Sequence, residues 1–84
     1  MKLQAVFWDY PQFQQEAHLR AFLQQNANNQ IYYWTMTRFL EHGRVIDTLS
    51  FFDLKEIASN LHKLKLSQYN QRKWKRLLEV YHAA

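Results

Sequence analysis

At 84 residues the chain is sized for one small domain, and such a domain buries only about 60% of the surface its unfolded form exposes. Three Trp, five Tyr and six Phe compensate with large apolar side chains, while the absence of cysteine excludes disulfides and thiolate metal sites. The net charge is +4, and all of that excess falls after residue 43, where eight Lys or Arg face four acids.

The apolar run from Ala5 to Trp8 is stopped by Asp9 and Pro11. It is too short for a secretory signal core or a membrane span, so a soluble, cytoplasmic protein is expected. One Gly and one Pro in the whole chain argue against a hairpin-rich fold, which leans on both.

Within residues 1–10, the stretch from Met1 to Trp8 alternates weakly, with Leu3, Ala5 and Phe7 on one side and Lys2, Gln4, Val6 and Trp8 on the other. No second strand offers them a ladder, so they are expected as an extended arm pinned to the helices by Phe7 and Trp8. Pro11 suits the first turn of a helix running to about Gln25. Its apolar side would be Phe13, Ala17 and Ala21 with either Leu23 or Leu19 and Phe22, opposite a neutral, Gln-rich solvated face. Asn26, Asn28 and Asn29 form the connection. A second helix is expected from about Gln30 to His42, with Tyr32 or Tyr33, Met36, Phe39 and Leu40 inward and Gly43 as a left-handed C-cap.

The apolar period resumes at Val45, Ile46, Leu49 and Phe52, giving a short third helix over residues 45–52. Asp53 with Glu56 has the form of a capping box opening a fourth helix, whose inward residues are Leu54, Ile57, Ala58, Leu61 and Leu64. Ser67 is a good N-cap for the last helix, expected to reach about His82 with Tyr69, Trp74, Leu77, Leu78 and Tyr81 inward. The chain therefore reads as a single all-α domain over residues 1–84: a compact bundle of about five short helices with an extended N-terminal arm.

The strongest functional signal is the run from Asn60 to Arg76. Lys63, Lys65, Arg72, Lys73, Lys75 and Arg76 supply six cations with no acid among them. Six such charges are enough to attract a nucleic acid or another acidic partner; the plainer reading is a solvated helix face. A helix-turn-helix over residues 45–64 would present Lys55, Glu56, Ser59, Asn60 and Lys63. Against it, Asp53 and Glu56 would face phosphate at the leading end of its second helix.

Tyr32, Tyr33 and Trp34 cannot all face one core, because successive helical residues turn by about 100°. Tyr33 and Trp34 are therefore candidates for a protein interface, the alternative being that the N-terminal arm covers them. Glu41 would pair on the surface with Arg38 or Arg44. His18, His42, His62 and His82 show no ligand spacing, and no nucleophile–base set or glycine-rich phosphate loop is present. The expectation is a protein that is not an enzyme and holds no metal or cofactor.

From Met36 to Tyr81 the chain resembles a family of small uncharacterised prokaryotic proteins. The matching residues are Met36 and the run Arg38 to Gly43, then Asp47, Leu49, Phe52, Ile57 and Leu61, then Leu66, Ser67, Trp74, Leu77 and Leu78. Phe7, Trp8 and Asp9 resemble the family's opening Phe-Trp-Asp. Gln68 departs from the family, which often has Pro there. Members are often encoded beside abortive-infection-type nucleotidyltransferases. The resemblance thus implies an antitoxin-like or accessory partner of such an enzyme, and it carries over no catalytic residue. Two expectations follow: a protein-interaction module, or a DNA-binding regulator using the basic C-terminal region as a homodimer that controls its own operon.

Overall fold

The computed structural model describes residues 3–27 and 29–82. The expectations placed on residues 1, 2, 28, 83 and 84, and on the side chain of His82, lie outside the described residues. The described residues form six α-helices: α1 (Leu3–Val6), α2 (Glu16–Gln25), α3 (Gln30–His42), α4 (Val45–Phe51), α5 (Leu54–Asn60) and α6 (Gln68–His82). Two 3₁₀ turns, Pro11–Gln14 and Leu61–Lys63, join them, and the described residues contain no strand. The all-α bundle of short helices is therefore the fold. No helix of the described residues is long and apolar enough to cross a membrane.

α3 is the element on which the others assemble. Asn29 caps its start by accepting from the Tyr32 amide at 3.1 Å, and Tyr32, Met36, Phe39 and Leu40 are buried along one stripe. Its far end, where helix carbonyls lose their partners, is closed by three segments. The Phe39 carbonyl accepts from the Gly43 amide at 2.8 Å and from the Thr48 hydroxyl at 3.3 Å. The Leu40 carbonyl accepts from the Trp74 indole at 3.1 Å, and the Glu41 carbonyl from the Asn70 amide at 3.4 Å. Side chains of α4 and α6 thus satisfy the end of α3, which fixes where α6 must lie.

Gly43 is not the expected left-handed cap. Its φ of −87° and ψ of 159° are extended backbone open to any residue. Space, not conformation, requires glycine: an added Cβ would sit 2.8 Å from the Phe39 carbonyl oxygen and 3.2 Å from Thr48 Oγ1 and Val6 Cγ2. Alanine would gain roughly 0.4–1 kcal/mol by restricting the unfolded chain. Overpacking against backbone costs more, typically about 1–3 kcal/mol. Gly43→Ala is therefore expected to lower stability in urea unfolding; an unchanged midpoint would show that the α3–α4 junction gives way.

The N-terminal arm is not extended either. Leu3–Val6 is one helical turn, closed by the Phe7 amide donating to the Leu3 carbonyl at 2.9 Å. Helical spacing puts Leu3, Val6 and Phe7 on one side, and all three are buried. An extended chain would have turned Val6 away from the other two. Phe7 does pin the segment, edge-on to Phe13 and Phe39 at 5.4 and 5.8 Å. Trp8 stays largely exposed, with its ring against His42.

The expected first helix is broken. Pro11–Gln14 is a 3₁₀ turn, Gln15 is extended, and α2 begins at Glu16. Phe13 lies 4.6 Å from Phe22, whereas nine residues of continuous helix would separate them by about 13.5 Å along the axis. The break lets Phe13 fold back onto both Phe22 and Phe7. Ala17 and Ala21 consequently face outward, and Leu19 and Leu23 carry the buried side. α5 likewise ends at Asn60, before the expected Leu64, and Ala58 faces outward. The buried Asn60 side-chain amide donates to the Glu56 carbonyl one turn back at 2.8 Å, and the chain goes on as the 3₁₀ turn Leu61–Lys63.

Asp53 caps α5 as expected, accepting from the Glu56 amide at 2.7 Å. The reciprocal half of the box is missing, because the Glu56 carboxylate accepts instead from the Tyr32 hydroxyl at 2.6 Å. Burial, then that bond, hold the Tyr32 phenol well above its ordinary range. A raised folded-state value contributes stability that is complete below about pH 10, the ordinary tyrosine value, and is lost as pH rises beyond it. Melting temperatures followed from neutrality to above pH 10 should fall more steeply for the native chain than for Tyr32→Phe. Parallel curves would contradict this.

Candidate functional site

α6 divides into two faces. Trp74 and Leu78 are buried on the inner one, and Asn70 joins them at the start of the helix. Ser67 accepts from the Asn70 amide at 3.3 Å, the expected N-cap. Glu41 does not pair with Arg38 or Arg44; its carboxylate accepts from the Ser67 amide and, at 3.0 Å, from the Asn70 side chain. An acid is thus spent on fixing the start of α6.

The outer face is where the structure departs most from expectation. Tyr69 and Tyr81, read as inward from the sequence, are 74% and 62% exposed, and Val80 between them is 65% exposed. Tyr69 is turned about 140° from Trp74 on the helical wheel, five residues at 100° each. Tyr81 points nearer to Trp74, but beyond Leu78 the helix has little to lie against. The signal for Tyr69 was available in the spacing; that for Tyr81 required knowing where the body ends.

Two shallow depressions run along this face and share Lys73 and Arg76. One is completed by Gln68, Tyr69 and Arg72, the other by Val45, Leu77, Val80 and Tyr81. Arg72, Lys73 and Arg76 are therefore brought together, with tyrosine rings at either end. The other three predicted cations are not part of this surface. Lys75 lies on the opposite flank with Ala58, Leu61, His62 and Glu79. The Lys63 ammonium stands 5.8 Å from the centre of the Tyr33 ring, and Lys65 is exposed beyond α5.

Among the described residues none of these six cations is in an ion pair, whereas Arg20, Arg38 and Arg44 each hold an acid. Asp9, Glu16 and Asp47 are those acids; Glu41, Asp53 and Glu56 are engaged in capping and in the Tyr32 bond. Arg72 and Arg76 are four residues apart, as neighbours of like charge on a helix, and Lys73 and Arg76 are three apart. Such pairs destabilise a helix by roughly 0.2–0.5 kcal/mol each. The fold tolerates this repulsion without using it, and a bound anion would remove it.

The aromatic candidates are mostly occupied internally. Trp34 meets Tyr10 edge-on at 5.4 Å and Phe7 at 6.2 Å, and Tyr33 is half-buried against Tyr32. Arg38 sits over this cluster, its guanidinium carbon 4.5 Å from the Trp8 ring centre and 5.3 Å from that of Trp34. It donates to the Val6 carbonyl at 2.7 and 3.1 Å and pairs with Asp9. Trp34 is thus partly covered by the N-terminal segment, and Arg38 clasps that segment to α3.

The helix-turn-helix arrangement loses two of its five outward residues, since Asn60 is buried and Glu56 is bound to Tyr32. Ser59 donates its hydroxyl to the Lys55 carbonyl at 2.9 Å. Among the described residues no three His, Asp or Glu side chains converge as metal ligands would. No family model, curated protein or solved structure matches this chain.

Proposed function

We propose that this chain acts by binding rather than catalysis, and that the outer face of α6 engages a nucleic acid through its phosphates. The observation that carries the reading is the cluster of Arg72, Lys73 and Arg76, gathered on one exposed face and left without acidic partners. Every other arginine of the chain has been given a carboxylate. Phosphate neutralisation supplies most of the affinity of such surfaces and needs no particular sequence. No metal or cofactor enters this reading.

The protein partnership implied by the family resemblance, with a nucleotidyltransferase, is the second reading. It is favoured by the exposed Val80 and Tyr81 at the far end of the same face, since apolar side chains left in water are frequent anchors of interfaces. The direct test of the first is a gel-shift titration of mixed-sequence DNA, native and heat-denatured, with the pure protein at low salt. Retarded DNA that heparin releases is expected. Free DNA at every protein concentration would overturn the reading and leave the protein partnership.

A further inference from the structure

We infer that the nucleic acid held by α6 is single-stranded, with bases stacked on Tyr69 and Tyr81 while Arg72, Lys73 and Arg76 neutralise the phosphates between them. The inference rests on the reading of α6 as a nucleic-acid face. Charge alone would not distinguish a duplex from a single strand; the two tyrosines do. Both rings are mostly in water, and among the described residues neither packs against another ring or lies under a cation.

A duplex hides its base faces, so exposed rings beside a row of cations would gain little from it beyond contact with sugars. A single strand offers unstacked bases, and a ring interleaved with cations is the arrangement that tracks such a strand. Spacing agrees. Twelve residues of helix set the two tyrosines about 18 Å apart along the axis and about 120° apart around it, so a strand reaching both winds across the three cations between them. Val45, Leu77 and Val80 add an apolar floor beside Tyr81 on which a base can rest. Trp74, which the sequence interleaves with the same cations, takes no part because it is buried against α3.

The test is fluorescence anisotropy on the full-length chain with three labelled probes: an oligothymidine, a mixed-sequence duplex of equal length, and polyglutamate. Heparin serves as an unlabelled competitor. The oligothymidine is expected to bind at least tenfold more tightly than the duplex. Tyr69→Ala and Tyr81→Ala should each weaken oligothymidine binding about tenfold or more while leaving heparin competition for the duplex unchanged. Tyr69→Phe and Tyr81→Phe should bind as the native chain does, since phenylalanine keeps the stacking face. Both tyrosines are exposed, so the alanine variants should melt as the native chain does.

Equal affinity for single strand and duplex, with no loss in the alanine variants, would overturn the stacking inference and leave the nucleic-acid reading standing. Binding of polyglutamate with no binding of either nucleic acid would overturn both in favour of an acidic protein. No binding of any probe would overturn the nucleic-acid reading and the inference with it.

Discussion

Replacing Trp74 with alanine is expected to remove most of the stability of this domain. The side chain is fully buried, and truncating a buried Trp typically costs about 3–5 kcal/mol through lost burial and the cavity left behind. The indole also donates to the Leu40 carbonyl at 3.1 Å. Losing it strands a buried acceptor at the end of α3, for roughly another 1–3 kcal/mol. A domain of this length has a total stability of about 4–13 kcal/mol, so the variant should be unfolded or nearly so in mild urea. Trp74→Phe keeps much of the volume and loses the bond, and should lie between the two. Equilibrium urea unfolding followed by circular dichroism decides it. A Trp74→Ala midpoint close to the native one would mean that α6 is not anchored through this residue.

The second large effect concerns which cations bind. Arg72, Lys73 and Arg76 replaced together by Gln lower the net charge by three, and so does the matched set Lys63, Lys65 and Lys75. If attraction depended on overall charge, the two triple variants would behave alike. The placement of the side chains predicts otherwise. Removing three phosphate contacts from a single strand, at a slope of about 0.7 per contact, should weaken binding roughly 500-fold near 50 mM salt. The matched set acts only at a distance, through ions that screen within about 10 Å at 0.1 M, and should cost no more than roughly threefold. Neither set makes an ion pair among the described residues, so both proteins should melt at or slightly above the native temperature. Equal losses in the two sets, measured by anisotropy with the same oligothymidine, would contradict the assignment of the face.

Much of the fold was legible because helix stripes and caps are local. The buried sets of α3 and α6 follow from spacing in Tyr32, Met36, Phe39 and Leu40 and in Trp74 and Leu78. Asp53 and Ser67 sit at the helix starts their chemistry marks. What the sequence concealed depends on tertiary choices. Gly43 was read as a conformational glycine, and its reason is space: the Phe39 carbonyl of α3 lies closest, with Val6 and Thr48 of other elements closing in beside it. The arm was read as extended because its residues alternate weakly, whereas one helical turn buries Leu3, Val6 and Phe7 together.

The candidate site was legible as a composition and illegible as a surface. Six cations stood out in the chain, yet only three of them converge, because helical periodicity sends Lys75 to the other flank and the 3₁₀ turn directs Lys63 towards Tyr33. Glu41 could not be assigned from charge alone, since its partners, Ser67 and Asn70, carry no charge.

The central claim, a binding face built on three cations of α6, is tested most directly by the salt dependence of oligothymidine affinity. Three single-strand contacts predict a slope of about −2 in log affinity against log salt, or roughly a 20-fold loss between about 50 and 200 mM. Engagement of all six cations would steepen this to a slope near −4, about a 300-fold loss. A slope near −2 in the native chain, flattened in the Arg72, Lys73 and Arg76 variant, is the predicted result. A slope near −4, or affinity indifferent to salt, would contradict the account.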